Sequence, residues 1–264
     1  MEIRKLRDKS LIHSFLIANE DIQYYCIGDL DDFFWPRTTW YALTEKNTIR
    51  SIALLYSGSE IPTLLVFYKE DASDSKFLLE NIKNELPEKF YSHLTPPLTN
   101  IFRKHEITNN WGLHYKMVLR ADSKDVGYAD YPNIRRLDIS DIDEILELYS
   151  AAYPDNWFDK RMLETGKYFG YKIKGKLVGI SGIHVYSPGY NVAALGNIAV
   201  HPDYRGRGIA LKLTNKLCND LRKDIKLIGL NVKADNDYAI RCYRKAGFEI
   251  TGEYEECLVS RILE

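Results

Sequence analysis

No stretch of 18 apolar residues occurs in the chain, so a membrane-spanning helix is not expected. The first ten residues, Met1 to Ser10, mix charges with two aliphatics after Met1 and lack the apolar run of a secretory signal. Excess charge of one sign is missing as well. Lys and Arg number 36 against 37 Asp and Glu, a net charge of -1, which argues against a nucleic-acid partner. Only four cysteines are present, Cys26, Cys218, Cys242 and Cys257. None form a CxxC pair and no histidine cluster flanks them, so no metal site is expected. Scattered thiols of this kind fit a reducing cytoplasm and read as ordinary semi-buried side chains. What remains is a chain of 264 residues with 45% hydrophobic and 28% charged residues, enough for one large core or two smaller ones.

The second half carries the clearer pattern. Asn133 to Leu137 reads as a short strand, and Asp138 to Tyr153 has Ile142, Ile145, Leu146 and Tyr149 at helical spacing. A second, shorter helix is expected over Asp159 to Gly166. Strands follow at Tyr168 to Ile173 and Lys176 to Tyr186, around the turn signal Lys174-Gly175. Val192 to Val200 is nearly all apolar, as in a strand buried on both faces. A helix over Ile209 to Leu221, a strand over Leu227 to Val232, a helix over Asp237 to Ala246 and strands at Phe248 to Thr251 and Glu256 to Ile262 complete an α/β domain on a mixed sheet. The first half has the same rhythm: strands at Trp40 to Leu43, Ile49 to Tyr56 and Pro62 to Tyr68, a helix over Ser75 to Leu86, a strand at Phe90 to Leu94, a helix over Pro97 to Lys104 and a strand at Leu113 to Leu119. That order suggests a structural repeat, with an unrelated α/β domain as the alternative. The polar segment Ala121 to Pro132 reads as a linker. The expected domains are 1–125 and 126–264.

Two stretches carry chemistry. In Asn197-Ile198-Ala199-Val200-His201-Pro202-Asp203-Tyr204-Arg205-Gly206-Arg207-Gly208-Ile209-Ala210 a buried strand runs through a turn into a helix. Gly206 and Gly208 allow close backbone approach, free N–H groups at a helix start attract anions, and Arg205 and Arg207 add positive charge. A pyrophosphate fits such a turn. The competing readings are a Gly-rich helix start with two solvated arginines, or a single Arg-Gly nucleic-acid element. The second stretch runs from Asn231 through Asn236, Ala239 and Tyr243 to Gly247-Phe248. Asn236 stands where an amide caps a helix or bonds a ligand, and Gly247 suits a helix end. Tyr243 taken alone reads as a packed aromatic more readily than as a catalyst.

Together the two stretches resemble the GNAT superfamily of N-acetyltransferases. Arg205-x-x-Gly208-x-Ala210 matches its Gln/Arg-x-x-Gly-x-Gly/Ala signature. Asn236-x-x-Ala239-x-x-x-Tyr243-x-x-x-Gly247-Phe248 matches its second signature. The resemblance covers roughly residues 133 to 262, and a degenerate first copy resembles the two-domain members, including the glycine N-acyltransferase-like group. It implies the acyl-CoA N-acyltransferase fold, an α/β mixed sheet, as two tandem copies, and acetyl-CoA or another acyl-CoA as co-substrate. It further implies that backbone of Ile198, Ala199 and Val200 meets the pantetheine arm, that N–H groups of Arg205, Gly206, Arg207, Gly208, Ile209 and Ala210 hold the pyrophosphate, that Asn231 and Asn236 contact the cofactor, and that Tyr243 is the general acid at the thioester sulfur.

At the corresponding point the first half reads Tyr68-Lys69-Glu70-Asp71-Ala72-Ser73-Asp74, with no Gly-x-Gly and three acids, which repels a pyrophosphate. Some family members use a Glu on the strand before the Gly-rich turn as base. Here that stretch is Val192-Ala193-Ala194-Leu195, without an acid. His184 on the neighbouring strand is the candidate base, since an ordinary imidazole titrates near neutrality, and a satisfied strand histidine is the alternative. Asp155 and Glu253 are weaker candidates. The expected function is transfer of an acetyl or acyl group to an amine of a small-molecule or peptide acceptor. A non-catalytic acyl-CoA-binding regulator is the alternative. The aromatic run Phe33-Phe34-Trp35 reads as core or as pocket lining.

Overall fold

The computed structural model describes residues 1–120, 131–154 and 156–261. Most of the expected linker and Asp155 lie outside the described residues. The elements are β1 (Glu2–Leu6), α1 (Lys9–Leu16), α2 (Glu20–Gly28), β2 (Thr38–Glu45), β3 (Thr48–Tyr56), β4 (Thr63–Val66), α3 (Ser73–Ile82), β5 (Lys89–Leu94) and β6 (Ile107–Arg120). They continue as β7 (Ile134–Arg136), α4 (Ile142–Ala152), β8 (Phe169–Ile173), β9 (Lys176–Ser187), β10 (Val192–Val200), α5 (Ile209–Leu221), β11 (Leu227–Lys233), α6 (Asp237–Lys245) and β12 (Glu249–Ser260).

The chain forms two compact units, and they are not two halves of the sequence. The first holds Met1–Lys116, Lys233–Asp235 and the segment from Thr251 onward; the second holds Met117–Val232 and Asn236–Ile250. β6 therefore leaves the first unit after Lys116, and β12 enters it at Thr251. This differs from the expected cut between 125 and 126, because periodicity reports an element but not which unit its strand joins.

Each unit repeats one topology. In the first, β1·β2, β2·β3 and β3·β4 are antiparallel and β4·β5 is parallel. In the second, β7·β8, β8·β9 and β9·β10 are antiparallel and β10·β11 is parallel. A helix, α3 or α5, makes the crossover that a parallel pair requires. The outer neighbour of β5 in the first unit is β12, antiparallel, with Glu256 opposite His93.

Apolar burial accounts for the layers. α3 covers one face of the first sheet with Leu78, Leu79 and Ile82 against Leu43, Leu55, Leu64 and Phe90, all buried. In the second unit α5 buries Ile209, Leu213 and Leu217, and α4 buries Ile145, Leu148 and Tyr149. Gly179 on β9 lies under α5, and Gly182 lies under the Tyr168 ring, so both absent side chains admit a neighbour to the sheet.

Three expected elements differ. Asp159 to Gly166 is a 3-10 turn, Lys160–Thr165, capped by the Asp159 carboxylate and closed by Gly166 at φ +64°. Six residues between two stops leave no length for an α-helix. Pro97 to Lys104 likewise holds only the 3-10 turn Leu98–Ile101. The last two expected strands are one, since Gly252 lies flat against Ile22 of α2 and does not break β12. β1, α1 and α2 were not among the expected elements. Gln23 of α2 is buried with its amide donating to the Phe67 carbonyl at 3.1 Å, which blurs the apolar period.

Gly182→Ala places a methyl group 2.1–2.5 Å from ring atoms of the fully buried Tyr168. Overpacking of this kind is expected to cost about 1–3 kcal/mol. The check is the denaturation midpoint at unchanged slope. A variant as stable as the parent would mean that the ring has room to move.

Candidate active site

The site starts from a break in β10. Its ladder with β11 runs from Val192↔Leu227 to Leu195↔Leu230, and its register with β9 shifts between Ala194 and Leu195 and again between Gly196 and Ala199. At the second shift Asn197 adopts φ +56°, a left-handed conformation that asparagine tolerates better than most residues. Three hydrogen bonds hold it there. The Tyr149 hydroxyl donates to the Asn197 carbonyl at 2.9 Å. The Asn197 side-chain amide donates to the Tyr168 hydroxyl at 3.1 Å, and that hydroxyl donates to the Ile183 carbonyl at 2.9 Å. Asn197 is buried, so these bonds form in a medium where losing one is costly. Sequence reading missed this trio. The signal was one amide after a glycine inside an otherwise apolar strand.

Beyond the bulge, Ile198 and Val200 are half-buried and Ala199 is buried. Ala199 and Val200 pair with Ile180 and Gly179 of β9, and the β11 ladder stops short of them. The strand's second edge thus diverges from β11 within the second unit. The Val200 carbonyl already accepts from Arg205 Nε at 3.1 Å, while Arg205 Nη2 donates to the Ala152 carbonyl at 3.2 Å. Arg205 therefore ties the end of β10 to the end of α4. Arg207 folds back as well, donating to the Asp203 carbonyl at 3.1 Å and lying 5.1 Å from the Tyr204 ring centre. Both guanidinium groups are thus held by backbone carbonyls, and their positive charge stays beside the turn.

The turn itself keeps its anion character. Gly206 and Gly208 have φ +75° and +72°, and Gly208 caps α5 without a side-chain partner. The Arg205 N–H is taken by Pro202. Among the described residues no acceptor takes the N–H of Gly206, Gly208, Ile209 or Ala210. Alternating left-handed residues before a helix turn successive N–H groups to one side, where the positive helix end adds its field. The turn is exposed at Arg205–Gly208, while the Ile209 side chain is buried under the sheet.

The first unit fills the matching place with its own carboxylate. After β4, Asp71 accepts from Ser73 N at 2.8 Å and from Ser73 Oγ at 2.7 Å, at the start of α3. These bonds hold Asp71 below the usual carboxylate range.

Asn236 caps α6: its side chain accepts from Ala239 N at 3.1 Å. Asn231 is half-buried on β11. Tyr243 is half-buried on α6 with its ring edge-on to Phe248, centroids 6.1 Å apart. Burial, and then Cys242, Tyr153 and Cys218, push its pKa above the ordinary value. Tyr243 is thus a neutral phenol, and no described residue bonds its hydroxyl.

His184 departs from expectation. Its ring packs on the Gly196 backbone, where a β-carbon would lie 1.9 Å from it. Burial lowers its pKa to about 4, well below the near-neutral value expected of a base. It is neutral at pH 7 and only weakly basic. Glu253 is exposed and belongs to the first unit's part of β12, and Asp155 is outside the described residues. Phe34 is buried against Tyr56 and Trp35 stacks on Trp40 in the first unit, while Phe33 is exposed.

The family model for the acetyltransferase (GNAT) family matches residues 134–248. Over those residues the chain is similar to that family. An uncharacterized N-acetyltransferase of Methanocaldococcus jannaschii is 32% identical over 139 residues, 44% of this chain and 60% of that protein. The chain spans less than two thirds of the relatives it matches by sequence. An X-ray structure of a Drosophila protein aligns with TM-score 0.74 at 14% identity, over 97% of this chain and 98% of that one. A tandem GNAT protein from the clavulanic acid biosynthesis pathway aligns with TM-score 0.55 at 14% identity, over the full length of both. The whole chain therefore has a tandem GNAT fold, with a mixed sheet in each unit. Among the described residues no helix is long and apolar enough to cross a membrane.

Tyr168→Phe removes the hydroxyl between the Asn197 amide and the Ile183 carbonyl and leaves two buried groups unpaired. The expected loss is about 1–3 kcal/mol of stability. Urea denaturation against Tyr171→Phe, which removes a hydroxyl on β8 that accepts from Asn133 Nδ2 at 3.2 Å, provides the comparison; equal losses would remove the special role of Tyr168.

Proposed function

We propose that the second unit binds acetyl-CoA, or another acyl-CoA, and transfers the acyl group to an amine of a small-molecule or peptide acceptor. The observation that carries this reading is the turn before α5, where N–H groups without protein acceptors stand at a helix start directly after a strand that has left its ladder. In this reading the N–H groups of Gly206 to Ala210 hold the pyrophosphate, and the edge of Ile198 to Val200 lies along the pantetheine arm. Asn231 and Asn236 lie beside the cofactor, with the Asn236 oxygen engaged in its cap and its N–H₂ left to donate. The first unit holds no second cofactor, because the Asp71 carboxylate already sits at its helix start. The acceptor is the partner, with neither nucleic acid nor membrane involved. The compartment is the cytoplasm, in keeping with cysteines that are all free.

The chemistry follows from the groups. The amine attacks the thioester carbon, a C–N bond forms, and the C–S bond breaks as the oxyanion collapses. The amine loses one proton and the departing sulfur gains one. Tyr243 is a phenol with a raised pKa, so it donates a hydrogen bond to the developing thiolate more readily than it gives up the proton outright. With no acid over Val192–Leu195 and a weakly basic His184, we assign no side chain as base, and the amine enters as the free base. That missing base favours one alternative, an acyl-CoA-binding regulator without turnover.

Two measurements separate the parts of this proposal. Gly208→Glu puts a side chain at φ +72° and a negative charge beside the turn. Calorimetry on the folded variant should show coenzyme A binding at least about tenfold weaker, roughly 1.4 kcal/mol; unchanged affinity would move the cofactor elsewhere. Tyr243→Phe keeps the ring and removes the donor. Its kcat for thiol release should fall about 10²–10⁴-fold with little change in coenzyme A affinity. A kcat within about twofold of an active parent would make Tyr243 a packing residue. A parent that never turns over a broad amine panel while binding acetyl-CoA would favour the regulator.

A further inference from the structure

Lys116, on β6, is 1% exposed, and among the described residues no atom makes a hydrogen bond to its Nζ. Four rings surround it instead. Its Nζ lies 3.7 Å from the ring centre of Phe67, 4.8 Å from that of Tyr24, 5.6 Å from that of Tyr25 and 5.4 Å from that of Tyr254. The lysine and all four rings belong to the first unit, apart from the acyl-transfer groups.

An ammonium carries three N–H donors and no acceptor. Ring faces attract its charge, but they do not replace the hydrogen bonds to water that burial removes. The ionisable groups packed around the cage supply no anion in its place. α2 brings Cys26 and Asp29, and burial raises the pKa of both, which favours the uncharged thiol and carboxyl. Asp21, also on α2, is paired with Lys69 at 2.8 Å. β12 brings Glu256, which accepts from the Tyr254 hydroxyl at 3.4 Å and lies 3.5 Å from both His93 Nε2 on β5 and His114 Nε2 on β6. Burial raises the pKa of Glu256 to about 7 and lowers that of His114. For Lys116 burial is the largest influence; it lowers the pKa to about 7 against an opposing pull from Cys26.

The cage joins parts that are far apart in the chain. Lys116 is the last residue of the first unit before β6 leaves it, and Tyr254 comes from the segment that returns at Thr251. Thr251 Oγ1 donates to the Asp21 carbonyl at 2.7 Å and lies 3.4 Å from the Lys116 carbonyl. The amine, α2 and β12 thus meet at one point. We propose that Lys116 is a proton-operated latch on β12: the first unit closes around the uncharged amine, and protonation of that amine loosens the segment from Thr251 onward. The latch needs neither coenzyme A nor an acceptor, so it stands or falls separately from the transferase reading.

The direction of the pH effect follows from linkage. Between about 7 and the ordinary lysine value of 10.5, the open chain holds a proton that the closed unit lacks, so closure strengthens as pH rises. Below about 7 both forms hold it and the penalty is complete. Glu256 acts in the opposite sense. Between its ordinary 4.5 and about 7 the closed unit holds the extra proton, so closure weakens as pH rises. Lys116→Met keeps an unbranched apolar side chain, removes the amine and leaves the Glu256 contribution in place.

Two measurements on the full chain test the latch. In protein made with isotope-labelled lysine, NMR follows the Lys116 Cε resonance, assigned by its Overhauser contact with the Phe67 ring, across the neutral and alkaline range. The expected midpoint is about 7, whereas surface lysines titrate at about 10.4. A Lys116 that titrates with the surface lysines overturns the proposal. Hydrogen-exchange protection of the β12 amides from Tyr254 to Val259, corrected for the intrinsic rate, is then compared between the parent and Lys116→Met. From about pH 6 to about pH 8, protection should rise about tenfold more in the parent than in the variant. An equal pH response in the two chains also overturns it. The NMR midpoint uses the parent alone and holds as a test even if the variant does not fold.

Discussion

The left-handed bulge at Asn197 is the constraint on which the second unit depends. A buried parallel strand paired along its whole length would offer a ligand no backbone at all. Two tyrosine hydroxyls and one amide hold β10 out of its ladder with β11, and the bonds lie where water cannot replace them. The arrangement spans three separate elements: Tyr149 comes from α4, Tyr168 from just before β8, and Ile183 from β9. Packing of these elements therefore fixes the path of β10, and the path of β10 fixes where the turn before α5 begins.

The two units show what happens to one topology under different local charge. Both place a strand, a turn and a helix in series, and both crossovers leave a positive helix end facing the turn. In the second unit glycines with positive φ leave the N–H groups without protein acceptors. In the first, Asp71 takes the Ser73 N–H itself, and an internal carboxylate satisfies what a bound anion would otherwise satisfy. The difference is a matter of a few side chains on an unchanged scaffold.

Burial also redistributes the ionisable groups. It makes Tyr243 a firmer phenol and His184 a weaker base, so the pair that sequence suggested as acid and base is left with a donor only. In the first unit the same desolvation draws Glu256 and Lys116 toward neutrality from opposite sides. In each case the chemical type was legible in the sequence, and the surroundings that set the proton affinity were not.

By itself the sequence determined the apolar strand Val192–Val200, the helices after it, and the Gly206/Gly208 turn, because these rest on local periodicity and on backbone conformations only glycine adopts easily. It also determined the family resemblance, carried by residues close together in the chain. Only the tertiary structure decided that β12 returns to the first unit, that Arg205 and Arg207 bond carbonyls, that Asn197 bends the strand, and that Glu256 lies between two histidines. Those facts depend on strand partners and side-chain contacts far apart in sequence, here 165 residues for Ser92 and Cys257, and no local pattern encodes such pairings.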